Sequence, residues 1–247
     1  MEEAQRRHGE PPGGVQPATA GDAVPGAPLR AAVLAGHDGD RDVALRLTGH
    51  RDPAVRAAAY GALARTGTLD VDALRRALAD DDAAVRRRAC LLAGRMVSSP
   101  SGLGGGGDRV TDVVAALTDR AVGDTAASVV EVAAWALGEA GTRCGPAALH
   151  ALVAVAHHSD ALCRESAVAA LGAIGDPGGL DTVLGALDDT APVRRRAAVA
   201  LAAFADRRAD DALRRCLDDR DWQVRQIAED LLGDESGNMP GEGEPGA

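Results

Sequence analysis

The chain has 247 residues, 46% of them hydrophobic but only 2% aromatic, and a formal net charge of −10. A core rich in alanine suits helices packed at short distance, because Ala is the best helix former and fills little volume; it argues against a β-sandwich, which needs β-branched and aromatic residues. No Lys occurs, so all 27 positive charges are Arg, and the acidic balance disfavours a general nucleic-acid or anionic-membrane binder while leaving room for a local basic patch.

Residues 1–28 are rich in Gly, Pro, Ala and charge and show no periodicity, which predicts a disordered tail. Short apolar helical stretches follow at Leu29 to Ala35 and Asp42 to Leu47. The first clear repeat frame is Asp52-Pro53-Ala54-Val55-Arg56, then Ala59, Ala62 and Leu63. With the Val as position zero, small or apolar residues return at plus four, plus seven and plus eight, one face of a helix that starts after an acidic turn. The same frame recurs with zero positions at Val85, Val129, Cys163, Val193 and Val224. Arg follows the zero residue at Arg56, Arg86, Arg164, Arg194 and Arg225, whereas Val130 takes that place in the third copy.

A period near 30 residues fits two short helices and two tight turns. Partner helices precede the frames at Val71 to Leu78, Val110 to Leu117, Ala147 to Val155, Leu180 to Leu187 and Asp210 to Leu217. The longer gap between Val85 and Val129 holds a Gly-rich loop at 98–107 and a few added residues around 119–124. Residues 234–247 form a second polar Gly/Pro tail, so the repeats occupy 29–233. One hairpin cannot bury its apolar face alone, but stacked neighbours make a continuous core. Asp at each turn can cap the next helix. Each plus-one Arg can reach the acidic turn of a neighbouring unit, giving a ladder of charge-assisted bonds.

Residues 162–204 carry this frame most clearly, and there the chain resembles the HEAT-repeat family, in particular the short PBS-lyase HEAT-like repeats. The resemblance covers roughly residues 40–233. It implies an all-α, right-handed solenoid of about six helical hairpins, with the helix after each Val-Arg turn on the concave side. The third unit departs from it by lacking the Arg.

That architecture is compatible with several chemistries. Some HEAT-like proteins, the deoxyhypusine hydroxylases, hold a di-iron centre on His-Glu pairs. No His-Glu pair occurs here; the comparable positions read Arg164-Glu165-Ser166 and Val130-Glu131-Val132. Nothing peculiar to bilin attachment is present, and the scarcity of aromatics offers little to stack on a tetrapyrrole. Cys90, Cys144, Cys163 and Cys216 are scattered without a CxxC pair, which indicates neither a zinc site nor a disulfide framework. A Lys-free chain cannot hold the Lys of a phosphate-binding loop. Arg87-Arg88 and Arg195-Arg196 could face a phosphate backbone, but nearby acids favour a solvated face.

The reading that remains is a non-enzymatic scaffold or adaptor that binds another protein or a peptide on the concave face. The alternatives are an enzyme or enzyme accessory of the lyase or hydroxylase type, or a DNA-binding solenoid. Plus six falls on the exposed side of each frame helix and includes Leu91 and Trp135. With Arg87, Arg88, Glu131, Glu165, Arg195 and Arg196 around them, these give an apolar centre with a charged rim. Arg195 and Arg196 are expected to be free for a partner, and Trp222 to shield the C-terminal end of the stack. No cofactor and no membrane contact are expected. The N-terminus lacks the apolar core of a signal peptide, which makes the cytoplasm the expected location. The sequence does not set the oligomeric state.

Overall fold

The computed structural model describes residues 26–99 and 107–236. Among them are thirteen α-helices and no strand: α1 (Ala27–Asp38), α2 (Arg41–Leu47), α3 (Pro53–Arg65), α4 (Val71–Leu78), α5 (Ala83–Ser98), α6 (Gly107–Gly123), α7 (Ala127–Ala140), α8 (Gly145–Val155), α9 (Ala161–Ile174), α10 (Leu180–Gly185), α11 (Ala191–Leu201), α12 (Arg207–Cys216) and α13 (Trp222–Ser236). The odd-numbered helices lie side by side in one layer, each packed on the next, and the even-numbered helices back them. The pairs α2–α3 through α12–α13 are six helical hairpins, and α1 adds a further helix to the odd layer. The chain is an α-solenoid.

The helix limits follow local chemistry. α1 begins two residues before the expected repeat start, because Gly26 takes a left-handed turn and Pro28 sits in the first helical turn. α13 runs to Ser236, past the expected end at 233. The rest of both predicted tails, and residues 100–106 of the Gly-rich loop, lie outside the described residues; Ser98 ends α5 and Gly107 opens α6. The extra residues near 119–124 are taken up by lengthening α6.

Asp52, Asp82 and Asp160 cap α3, α5 and α9, accepting from the backbone N–H two residues on at 2.8–2.9 Å. The expected cap is missing on α11, whose Thr190 side chain makes no capping bond. The neighbouring Asp189 is instead held by the repeat before it.

That bond belongs to a regular series. Arg56, Arg86, Arg164 and Arg194 each donate from Nε and Nη2 to both oxygens of one carboxylate in the next turn, Asp80, Asp124, Asp189 and Asp219, at 2.6–2.9 Å. The remaining Nη1 donates to carbonyls of the arginine's own turn, for instance His50 and Arg51 for Arg56. Each guanidinium therefore closes one turn and ties it to the next. Arg225, in the last hairpin, keeps only the first role and donates to the Asp219 carbonyl.

The link from the third unit to the fourth lacks both partners. Where Val130 replaces the Arg, His158 occupies the station of the acid, and its Nδ1 accepts the Asp160 N–H at 3.0 Å. His50 does the same for Asp52 in the first turn, which no ladder arginine reaches. The α7–α9 seam is apolar instead, with Val130 buried and the Cys163 thiol donating to the Ala127 carbonyl at 3.3 Å.

Close approach in the odd layer depends on glycines at plus nine. A Cβ on Gly138 would lie 2.9 Å from Ala170 Cα, and one on Gly172 would lie 2.8 Å from Ala200 Cα. Gly94 faces Ala136 in the same way. The α3–α5 and α11–α13 seams, with Ala64 opposite Leu92 and Ala202 opposite Leu231, are the most open of the layer.

Two outcomes follow for stability. Gly172→Ala should lower it by about 1–3 kcal/mol through overpacking against backbone, outweighing the roughly 1 kcal/mol gain in helix propensity. Gly185→Ala, where a Cβ meets nothing within 4 Å, should raise it by about 0.4–1 kcal/mol; urea unfolding measures both. The Arg86, Arg164 and Arg194 hydrogen bonds hold the Asp124, Asp189 and Asp219 carboxyls below the ordinary range, Asp189 at about 2. A lowered folded pKa stabilises above the unfolded value, about 3.9, and that contribution is lost as pH falls through the folded one. The melting temperature should hold between about pH 7 and 5 and fall between about pH 4 and 2, and Asp189→Asn should make the acid limb shallower.

Candidate functional site

On the odd layer, plus two, plus three, plus six and plus ten lie opposite the buried Val, Ala and Leu, and most of these residues are partly or fully exposed, though Gly61 and Val132 are buried. Glycine and alanine on neighbouring helices leave a trough there. One hollow of about 380 Å³ lies between α7 and α9, lined by Trp135, Gly138, Glu139, Glu165, Ser166, Ala169, Ala170, Ala173 and Arg196. A second, of about 310 Å³, lies between α9 and α11 and shares Ala169, Ala173 and Arg196 while adding Gly172, Val199, Ala200 and Ala203. The shared residues make the two continuous. The floor is almost entirely Ala and Gly. Trp135 forms one wall and the 49% exposed Val199 stands at the other side.

Trp135 is half-buried, with its ring over Gly94 of α5; a Cβ on that glycine would lie 2.6 Å from the indole. The side chain fills space left by a small neighbour and still lines the trough. Glu165 and Arg196 meet across α9 and α11, Oε1 accepting from Nη2 at 3.0 Å. Arg196 is thus not free but forms a partly exposed strut over the floor. Arg195 is not free either: its guanidinium donates to both Asp221 oxygens at 2.9 and 2.5 Å and holds that carboxyl at about 2. The next repeat supplies an acid within reach of plus two, which the Val-Arg frame alone does not show.

The other expected residues are spread along the face. Leu91 is half-buried against the core and Glu131 is half-buried, and neither lines the trough. Arg87 is exposed. Arg88 lines a separate hollow between α3 and α5, of about 430 Å³, with Gly61, Ala64, Arg65, Gly67, Leu69, Leu92, Arg95 and Met96. Glu139, Ala173, Ala203, Arg65 and Arg95 all occupy plus ten, a row absent from the sequence-based set. Its signal was the seven-residue step from plus three, which keeps a residue on the same helix face. Trp222 does not shield the stack; it is 64% exposed.

The four cysteines are buried and free. Burial pushes the Cys90 thiol up to about 12 and the Cys163 thiol up to about 11, which keeps both protonated. Among the described residues no group of three or more His, Cys, Asp and Glu side chains is placed to hold a metal, and no helix is long and apolar enough to cross a membrane.

The family model described as HEAT repeats matches residues 21–95 and 151–233. The chain belongs to the HEAT-repeat family. The unmatched interval spans the Gly-rich loop and the HEAT unit that carries Val130 in place of Arg. No curated protein matches the chain. Among solved structures, an engineered protein is 21% identical and superposes with a TM-score of 0.60, covering 81% of this chain and 99% of its own. YibA of E. coli is 18% identical with a TM-score of 0.59, covering 88% and 77%. A designed armadillo repeat protein in complex with the peptide (KR)4 is 16% identical with a TM-score of 0.56, covering 78% and 98%. At these identities the likeness is one of fold.

The two tryptophans report the geometry of the face. Trp222→Phe, which leaves half-buried Trp135, should emit to the blue of Trp135→Phe, which leaves exposed Trp222, and should resist acrylamide quenching more strongly. Equal emission from the two variants would contradict the seat of Trp135 on Gly94.

Proposed function

We propose that this HEAT solenoid is a non-catalytic scaffold or adaptor that holds an extended segment of another protein along its odd-numbered face. The observation that carries this reading is the continuous trough across α7, α9 and α11, walled by Trp135 and floored by Gly and Ala. Adjacent helix axes lie roughly 8–10 Å apart and an extended chain advances about 3.3 Å per residue. About three residues therefore span one repeat. A small-residue floor admits the alternating side chains of such a strand, and the indole supplies a rigid anchor of low entropy cost. The designed armadillo protein solved with (KR)4 supports the reading, since a solenoid of similar fold accepts a peptide. The cytoplasm is the proposed location.

Selection of a random peptide library on the purified chain, followed by hydrogen-exchange mapping, tests this. Bound peptides should protect α7, α9 and α11, and Trp135→Ala should weaken them by at least about 30-fold, the loss of an interface anchor worth about 2 kcal/mol. Protection confined to the even-numbered helices would refute the assignment of the face.

A further inference from the structure

The hollow between α3 and α5 differs in chemistry from the trough. Its floor is apolar, built from Gly61, Ala64, Leu92 and Met96, and three arginines surround it: Arg65, Arg88 and Arg95. Among the described residues none of the three guanidinium groups forms an ion pair or a hydrogen bond, whereas those of Arg56, Arg86, Arg164, Arg194, Arg195 and Arg196 are all paired with acids. Arg88 is half-buried, and its guanidinium lies against the backbone of α3; a Cβ on Gly61 would sit 2.7 Å from Nη2. Arg65 reaches back in the same manner over Gly36 of α1. Burial, then the neighbouring Arg95 and Arg65, pull the Arg88 pKa below its ordinary value, with no acid acting against them.

Three like charges around a partly enclosed hollow are unfavourable in the free protein, and a negatively charged guest would relieve them. Leu92 and Ala64 both line the opening, where the tighter seams set Gly against Ala. We propose that the Arg65–Arg88–Arg95 hollow receives an acidic peptide segment of the partner, the guanidiniums clamping its carboxylates while an adjacent apolar side chain packs on Leu92 and Met96. This rests on the reading of the odd face as a peptide-binding surface and places the acidic stretch of the peptide at the N-terminal end of the solenoid. Arginine suits the task because its planar fork pairs with a carboxylate through two hydrogen bonds. A polynucleotide fits less well. The face continues into Glu131, Glu139 and Glu165, which repel a phosphate backbone, and the hollow has no aromatic wall for bases.

Fluorescence anisotropy on the full chain tests the proposal with three labelled probes: the peptide Gly-Glu-Leu-Glu-Glu-Gly, the same peptide with Gln in place of each Glu, and a short single strand of thymidine nucleotides. The Glu peptide should bind at least about 10-fold more tightly than the Gln peptide, and its affinity should fall between about 0.05 M and 0.3 M salt. Arg88→Gln should weaken it by about 10-fold or more, the worth of a charge-assisted pair. Arg220→Gln, which removes an exposed charge in the last hairpin, should leave it unchanged. The melting temperature of Arg88→Gln should stay level or rise, because the change relieves repulsion; a purely structural Arg88 would show a fall. Equal affinity for the Glu and Gln peptides, equal or tighter binding of the oligonucleotide, or an Arg88→Gln protein that binds as wild type would each overturn the proposal. If peptides selected on the whole face lose affinity in Trp135→Ala but not in Arg88→Gln, the groove stands and the acidic specificity falls. If the Glu peptide depends on Arg88 while no selected peptide depends on Trp135, the reverse holds.

Discussion

The bond on which this molecule depends is the fork of an arginine laid across two turns. Each ladder guanidinium spends two donors on the carboxylate of the next repeat and a third on the carbonyls of its own turn. Arg194, 4% exposed, is the one buried charged or polar residue among those described. A charge in that position is tolerable only when its hydrogen bonds are fully met. Because the bridge fixes the offset between consecutive turns, it also fixes the register in which one frame helix lies beside the next. The α7–α9 seam shows what replaces it. Arginine and acid are lost together, His158 keeps the backbone acceptor, and buried Val130 with the Gly138–Ala170 contact holds the helices together.

The side chains at the seams, in turn, shape the exposed face. Where plus nine is Gly and the facing plus seven is Ala, the helices nearly touch and the surface above is a shallow floor. Where the facing residue is Leu92, the hollow carries arginine at plus ten of both helices, Arg65 and Arg95, and at plus three of α5, Arg88. Hollows of comparable size, about 380 and 310 Å³ against about 430 Å³, lie over both kinds of seam, so what distinguishes them is the side chains that line them.

Much of this was legible in the sequence. The zero-position residues and the Ala and Leu that follow them are in the core, and the ladder was deducible from the Val-Arg pair and the acidic turns, because both repeat. The partners of Arg195 and Arg196 were not, since Asp221 and Glu165 belong to single units and no periodicity announces them. The same limit applies to the plus-ten row. Its residues differ from repeat to repeat, as an exposed face free of packing constraints allows, so a search for recurring residues passes over it. Trp222 shows the opposite hazard: an aromatic beside a buried Val suggests a cover, but the side chain points away from the stack.

The distribution of charge gives the odd face a direction. The chain has 37 acidic residues for 27 arginines, so a shortage of carboxylates does not explain the bare arginines at α3 and α5. Acids sit in turns, where they cap helices and receive the ladder, on the even-numbered helices, as at Asp72, Asp112 and Asp181, and on the frame helices from α7 onward, where Glu131, Glu139 and Glu165 stand. Arg65, Arg88 and Arg95 occupy rows that Glu139, Ser166 and Ala173 occupy two frame helices later. An extended ligand lying along the layer would meet positive charge at one end and an acidic, small-residue floor beyond it. Reversing the ligand would set like charges against like, so the face can discriminate orientation as well as composition.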